Sequence, residues 1–463
     1  MTSKPITAAT PAVTAPAAPA VTITPTPTAA APPQGPIKAV ILVGGPSRGT
    51  RFRPLSLNVP KPLFPIANQP LLYHHLAALA DVPGLRDVAL IGFFEDAVFA
   101  PFLDRVHVDF PTLNVRYLRE YQALGTAGGI FHFRDELLRG DPRFLFVLHS
   151  DIVSSFPLQQ MVAAHAARPQ GALCTMLATR VPAETTQRYG CIVAAADGQV
   201  LHYVEKPEFY ISDLINGGVY LFDTAIFNVL AEIRAEKAAA AAALAAVEWA
   251  SSRDSLSSYD AAPAAGATQL RLEHDVFKQL AGTKKLFAYE SHEIWTQLKS
   301  ATYVSAVLAN TLVLQHNKRR RSASICVESL KGPQVVGAVS IHRSAQIHPT
   351  AKIGPNVSVG PRATVGPGVR IKDAIILDGV DIKANACILS SVIGWNSKVG
   401  KWARVEGTPT EATAAKLMDH GHKTQTSTVI GHEVTIADEV IIRNCIVLPH
   451  KELKASYRDD ILL

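Results

Sequence analysis

The residues with the clearest chemical bearing lie between Lys38 and Pro65, in KAVILVGGPSRGTRFRPLSLNVPKPLFP. Gly44 and Gly45 open a loop that carries Gly49, Thr50 and the arginines Arg48, Arg51 and Arg53, and that runs on to Lys61 between Pro60 and Pro62. Glycine lets backbone N–H groups approach phosphate oxygens, because no Cβ stands in the way. Arginine adds a planar donor fork and lysine a compact charge. The chemistry available to such a set is the grip of a polyphosphate. The G-x-x-x-x-G-K-[ST] and G-x-G-x-x-G patterns are both absent, so this loop is of another kind.

A loop of this sort needs a rigid element to hold it. Ala39 to Val43 is a short apolar run closed by glycine, which predicts a strand buried on both faces. Val88–Gly92 and Phe144–Leu148 read as further parallel strands, and Leu71–Ala80 and Leu158–Ala167 as the helices between them. Strands alternating with helices imply an α/β sheet with crossover connections. Ligands of such sheets bind beyond the carboxyl ends of the strands, where the Gly44 loop and Asp151 both fall. This α/β unit is expected to span residues 37–320, with an Ala-rich insertion at about 235–267 that reads as a surface helix running into a mobile segment.

From residue 335 to 463 the texture changes. Apolar residues recur every six positions at Ile341, Ile347, Ile353, Val359, Val365, Ile371 and Leu377. After shorter steps the pattern resumes at Ile382 and Ile388 and at Ile393, Val399 and Val405, and it returns beyond an interruption at Ile430, Ile436 and Ile442. A fixed short period means stacked coils, because one coil alone cannot bury its inward side chains. Residues 407–428 carry no such period and read as an inserted loop. His342, His348 and His432 stand among the coils and are expected to be plain surface histidines.

Composition narrows the remaining possibilities. A net charge of +6 without a long basic block suits phosphate-bearing small ligands and gives no reason to expect a nucleic-acid partner. No apolar run reaches the ~20 residues of a membrane span. Five scattered cysteines without C-x-x-C spacing argue for reduced thiols and a cytoplasmic setting. Residues 1–36 are almost wholly Ala, Pro, Thr and Val, too poor in large apolar side chains to offset ordering entropy, and are expected to be disordered.

Gly44-Gly45, Gly49-Thr50-Arg51, Pro54-Leu55-Ser56 and Pro60-Lys61-Pro62 resemble, in order, the sugar-nucleotide pyrophosphorylase signature GGxGTRxxPLT followed by PKP. Pro46-Ser47-Arg48 stands where most active members have one residue. That lengthened loop resembles the alpha-type subunits of the GDP-mannose pyrophosphorylase (mannose-1-phosphate guanylyltransferase) family. Gly394–Gly407, GWNSKVGKWARVEG, and Cys445–Leu453, CIVLPHKEL, are similar to motifs of both subunit types of that family.

The resemblance implies a Rossmann-like, mostly parallel nucleotidyltransferase domain followed by a left-handed parallel β-helix. It implies a nucleotide site at Gly44, Gly45, Gly49, Thr50, Arg51, Gly125 and Thr126, and a sugar site at Gly190, Glu205, Lys206, Asn216 and Gly217 beside Tyr189. Arg51 and Lys61 are the candidates for catalysis and Asp151 for Mg²⁺. In active members a second aspartate comes from W-x-D-I-G; here the segment is Trp295-Thr296-Gln297-Leu298-Lys299, so Gln297 lacks the carboxylate and Lys299 adds a positive charge. The resemblance therefore implies a regulatory, GDP-mannose-sensing subunit of a homo- or hetero-oligomer that modulates a catalytic beta-type partner. The alternatives are an active mannose-1-phosphate guanylyltransferase, for which Mg²⁺ would be needed, and a translation-factor-like exchange subunit. In that family a loop at the place of residues 407–428 reaches toward a partner subunit; here it lacks the long Pro/Asp-rich form, so a plain surface loop is the alternative.

Overall fold

A computed structural model describes residues 35–45, 50–251, 269–299, 305–320, 332–408, 418–419, 422–423 and 427–463. The disorder expected over most of 1–36, the lengthened loop with Gly49, the distal part of the Ala-rich insertion, Cys326 and most of the loop at 407–428 lie outside them.

The strands that matter for function are β1 (Ile37–Gly44), β2 (Leu85–Gly92), β3 (Asn114–Arg119), β4 (Phe144–His149), β5 (Ile152–Ser154), β6 (Cys174–Arg180), β7 (Gly190–Ala194), β8 (Val200–Glu205), β9 (Leu214–Asp223), β10 (Leu286–Glu290) and β11 (Trp295–Gln297). The main sheet runs β8-β7-β9-β4-β1-β2-β3, with β6 against β9 and β10 against β6. β3, β2, β1 and β4 are parallel, and their crossovers include α1 (Leu71–Ala80), α2 (Asp96–Asp109) and α3 (Thr126–His132). β9 returns antiparallel beside β4 and carries the antiparallel pair β7–β8.

Val40 and Ile41 are adjacent in β1, point to opposite faces and are both fully buried. One face packs with Val147, Tyr220 and Phe277, the other with Leu90, Phe146 and Leu148. This two-sided burial is why the strand reads as a continuous apolar run. A helix over Ile226–Ser251 buries Phe227, Leu230 and Ile233 against the sheet, and its early alanines are largely exposed, as the Ala-rich segment predicts.

The coils from residue 334 onward form three parallel sheets of seven, seven and six strands, consistent with a left-handed β-helix. Ile353, Val359, Val365, Ile371, Ile382, Ile388, Ile393, Val399, Val405, Ile430, Ile436 and Ile442 all lie in its core. Leu377 does not, which corrects the expected register. The inward residue is Ile376, stacked between Val359 and Ile393 of the adjoining coils. Leu377 instead joins Ile375, Val392 and Val429 in a separate cluster with Phe52, Leu55, Phe64 and Leu298. The β-helix therefore packs directly on the segment that follows the glycine loop. A helix over Ser305–Arg320 fills the same junction with Ala306, Ala309 and Val313, and Asn310 Oδ1 accepts the Ala67 N–H at 2.8 Å.

His342 and His348 each bond a hydroxyl two residues on, Ser344 and Thr350, both at 2.9 Å. Cys174, Cys191, Cys387 and Cys445 are free thiols. Among the described residues no helix is long and apolar enough to cross a membrane.

Candidate functional site

Chain geometry brings the distant sequence positions to one edge of the sheet. Leu42 of β1 pairs with His149 of β4, so the Gly44–Gly45 turn and Asp151 leave neighbouring strands at their carboxyl ends. Opposite Asp151, β11 pairs antiparallel with β5 and sets Gln297 across from Ile152. The Leu298 N–H donates to the Asp151 carbonyl at 2.8 Å, which fixes that register.

The Asp151 carboxylate is already occupied by protein donors. Lys61 Nζ donates to Oδ2 at 2.8 Å and to the Leu298 carbonyl at 3.0 Å. The Gln297 amide Nε2 lies 3.2 Å from each carboxylate oxygen. Burial pushes the Asp151 carboxyl up, but Lys61, His149 and Gln297 outweigh it and hold it down at about 2. The carboxylate is thus fully ionised and neutralised from within the chain.

Magnesium is hard and takes oxygen ligands, chiefly carboxylates and water, in a near-octahedral shell. Asp151 faces an ammonium and an amide N–H pair, and no cluster of three or more His, Cys, Asp or Glu with metal-binding geometry is found among the described residues. This donor set does not fit a divalent cation.

Lys299 is the other departure. Its Nζ stands 3.8 Å over the Tyr189 ring and donates to the Arg188 carbonyl at 2.7 Å. Burial lowers its pKa to about 8, against the pull of Asp151 and with the help of Lys206 and Arg51. Those charge interactions place Lys299 among Asp151, Arg51, Glu205 and Lys206. Arg51 and Thr50 are exposed in the turn that resumes after the glycine loop.

The proposed sugar side is a connected network. Tyr203 Oη donates to Glu205 Oε2 at 2.8 Å, and Glu205 Oε1 pairs with Lys206 Nζ at 2.8 Å. Asn216 Nδ2 donates to the Tyr220 hydroxyl at 2.9 Å and to that of Tyr203 at 3.3 Å, while its Oδ1 accepts the Gly218 N–H at 2.9 Å. The Gly217 carbonyl accepts from Trp295 Nε1 at 2.9 Å, and Trp295 meets Tyr189 edge-on at 5.4 Å. Gly190 is required by close approach: a Cβ there would collide with the Tyr203 hydroxyl and stand 2.8 Å from Glu205 Oε2.

At the Gly125–Thr126 loop the backbone makes a different demand. Gly125 has φ +87°, and any Cβ would run into the Leu270 carbonyl. That carbonyl accepts the Ala127 and Gly128 N–H groups, both at 3.0 Å. Thr126 Oγ1 donates to Glu273 at 2.9 Å and accepts the Leu272 N–H at 2.9 Å. Glu273 in turn faces His149 Nε2 at 3.3 Å. Burial disfavours both charges, yet each supports the other: the carboxyl falls to about 2 and the imidazole rises.

The structure thus brings together Lys61, Asp151, Gln297 and Lys299 at one corner and Gly190, Glu205, Lys206, Asn216 and Gly217 at the next, with Gly44, Gly45, Thr50 and Arg51 on the turn beside them. Sequence reading missed the His149–Glu273 pair and the two tyrosines behind Glu205. For Tyr203 a period-two signal existed, since it shares one face of β8 with Glu205, and Tyr220 likewise shares one face of β9 with Asn216. For Glu273 no local signal exists.

Residues 38–259 match the nucleotidyl transferase family and residues 335–462 the family described as the GMPPB C-terminal domain. A Xenopus tropicalis protein named mannose-1-phosphate guanylyltransferase regulatory subunit alpha is 43% identical over 438 residues, covering 92% of this chain and 100% of its own. A Danio rerio regulatory subunit alpha-B is 42% identical over 438 residues, with the same coverage. A Schizosaccharomyces pombe protein named a probable mannose-1-phosphate guanyltransferase is 42% identical over 431 residues, covering 92% of this chain and 99% of its own.

Proposed function

Since the chain belongs to the mannose-1-phosphate guanylyltransferase alpha subunits, within the nucleotidyl transferases, we propose that it is a regulatory, GDP-mannose-sensing subunit that modulates a catalytic beta-type partner in GDP-mannose synthesis. One observation carries the reading. The carboxylate at the phosphate corner is closed off by Lys61 and Gln297, while the sugar side keeps a complete hydrogen-bond network around Glu205 and Asn216. Binding asks only for a complementary pocket, whereas turnover asks for groups that neutralise charge building up in the transition state.

In this reading Gly44, Gly45, Gly49, Thr50, Arg51, Gly125 and Thr126 line the nucleotide. Glu205 holds sugar hydroxyls, Lys206 takes the sugar-linked phosphate, and Gly190, Asn216 and Gly217 shape the wall. The pocket belongs to residues 37–320, and residues 335–463 brace it through the Phe64–Leu377 cluster. The names of the relatives, "regulatory subunit", support a catalytic partner. The name of the fission-yeast relative, a probable mannose-1-phosphate guanyltransferase, supports a second reading as an active guanylyltransferase.

The test is co-purification with a catalytic homologue, followed by its rate with and without this chain across GDP-mannose concentrations. The expected result is a rate that depends on GDP-mannose only when this chain is present, and a dependence lost in Glu205→Gln. Identical curves with and without the chain would reject the regulatory role.

A further inference from the structure

The corner between Asp151 and Glu205 holds an uneven set of charges. Lys299 interacts electrostatically there with Asp151 and Glu205 and with the cations Arg51 and Lys206, Lys206 pairs with Glu205 at 2.8 Å, and Lys61 touches Asp151 directly. Four cations against two carboxylates leave an excess of two positive charges at this corner. Both phosphates of a nucleoside diphosphate sugar are ionised at neutral pH, so the ligand balances that excess. Where W-x-D-I-G stands, the aspartate would subtract a charge and glycine would add none. The change to Gln297 and Lys299 shifts the local charge by the same amount, and with the same sign, as a bound divalent cation.

We propose that this pocket binds the diphosphate of a nucleotide sugar without any divalent cation, the Lys299 ammonium together with the uncharged Gln297 supplying the charge balance a metal would bring. Lys61 and Gln297 hold Asp151 neutralised from within the chain. Lys299 is held within reach of the pocket by the Tyr189 ring and the Arg188 carbonyl. A flexible four-carbon stem lets an ammonium leave such a perch for a phosphate oxygen, a stronger acceptor than a neutral carbonyl. The inference rests on the GDP-mannose-binding reading given above and adds how the diphosphate is held.

Calorimetric titration of the full chain with GDP-mannose, once in excess Mg²⁺ and once in EDTA, tests it. The expected affinities agree within about twofold. Lys299→Gln should lower affinity about tenfold in both solutions, the scale of one charge-assisted contact. The paired change Gln297→Asp with Lys299→Gly should make binding depend on Mg²⁺. A wild-type affinity that falls tenfold or more in EDTA overturns the inference while leaving the nucleotide-sugar reading intact. Absence of binding in both solutions overturns the two together. A melting-temperature shift on adding GDP-mannose in EDTA gives an independent readout of the same equilibrium.

Discussion

The two corners of the site are built in opposite ways. Around Glu205, each polar group has a partner that aims it: Tyr203 and Lys206 on the carboxylate, Tyr220 and Gly218 on Asn216, Trp295 on Gly217. Around Asp151, the partners instead consume the group that a metal would need. Both corners are well satisfied, so stability does not distinguish them. What differs is the partner set: Asp151 is gripped by Lys61, itself tied to the Leu298 carbonyl, and by Gln297, whereas the Glu205 carboxylate is met by the Tyr203 hydroxyl and the exposed Lys206. A fold can thus keep recognition and give up turnover through two side chains, without loosening its core.

The largest effect that sharpens this contrast comes from filling the tightest point of the sugar wall. Gly190→Ala drives a methyl group into the Tyr203 hydroxyl and Glu205, and overpacking of this kind costs ~1–3 kcal/mol. GDP-mannose affinity should fall by on the order of 100-fold in calorimetry, with far-UV dichroism unchanged. Wild-type affinity in this variant would mean the sugar does not sit against that wall.

At the phosphate corner the expected effect is on stability and follows pH. Asp151 titrates at about 2 in the folded chain against an ordinary value of 3.8. The folded state keeps the carboxylate ionised where the unfolded chain takes up a proton. It therefore adds stability above pH ~4, on the order of 2 kcal/mol, that is lost as pH falls through about 2. Asp151→Asn should be less stable than wild type by that order at neutral pH, and urea titrations from pH 5 downward should show the deficit shrinking. A deficit constant across that range would contradict the pairing with Lys61.

Two smaller changes probe the aim of the sugar network. Tyr203→Phe removes one donor to Glu205 and should weaken GDP-mannose about tenfold, as expected for a hydrogen bond to a charged group. Its affinity for GDP, which has no sugar, should be unchanged; an equal loss for both ligands would assign Tyr203 a structural role only. Trp295→Phe loses the bond to the Gly217 carbonyl while keeping the ring. A neutral hydrogen bond is worth ~1 kcal/mol, so a drop of about fivefold is expected.

Much of this contrast was legible in the chain itself, for reasons that differ by region. The glycine loop and Asp151 are local features at strand ends, and their neighbours β1 and β4 are apolar enough to be read directly. The coils were legible because an inward-facing apolar side chain recurs every six residues. The slip at Leu377 shows the limit. Ile375, Ile376 and Leu377 are three consecutive apolar residues, and which one faces in is set by stacking on Val359 and Ile393, with the β1-side cluster claiming its neighbours. Gln297 was visible as a missing charge, but its turn toward Asp151 depends on the β5–β11 pairing across the chain. The His149–Glu273 contact arises in the same long-range way, from the return of the chain after the Ala-rich insertion.

The most direct measurement uses one preparation of the full chain alone, assayed for GDP-mannose binding by calorimetry and for pyrophosphate release from GTP and mannose 1-phosphate with Mg²⁺. Saturable binding with no turnover is the predicted result. Release at roughly 1 s⁻¹ or faster, abolished by Asp151→Asn, would contradict it.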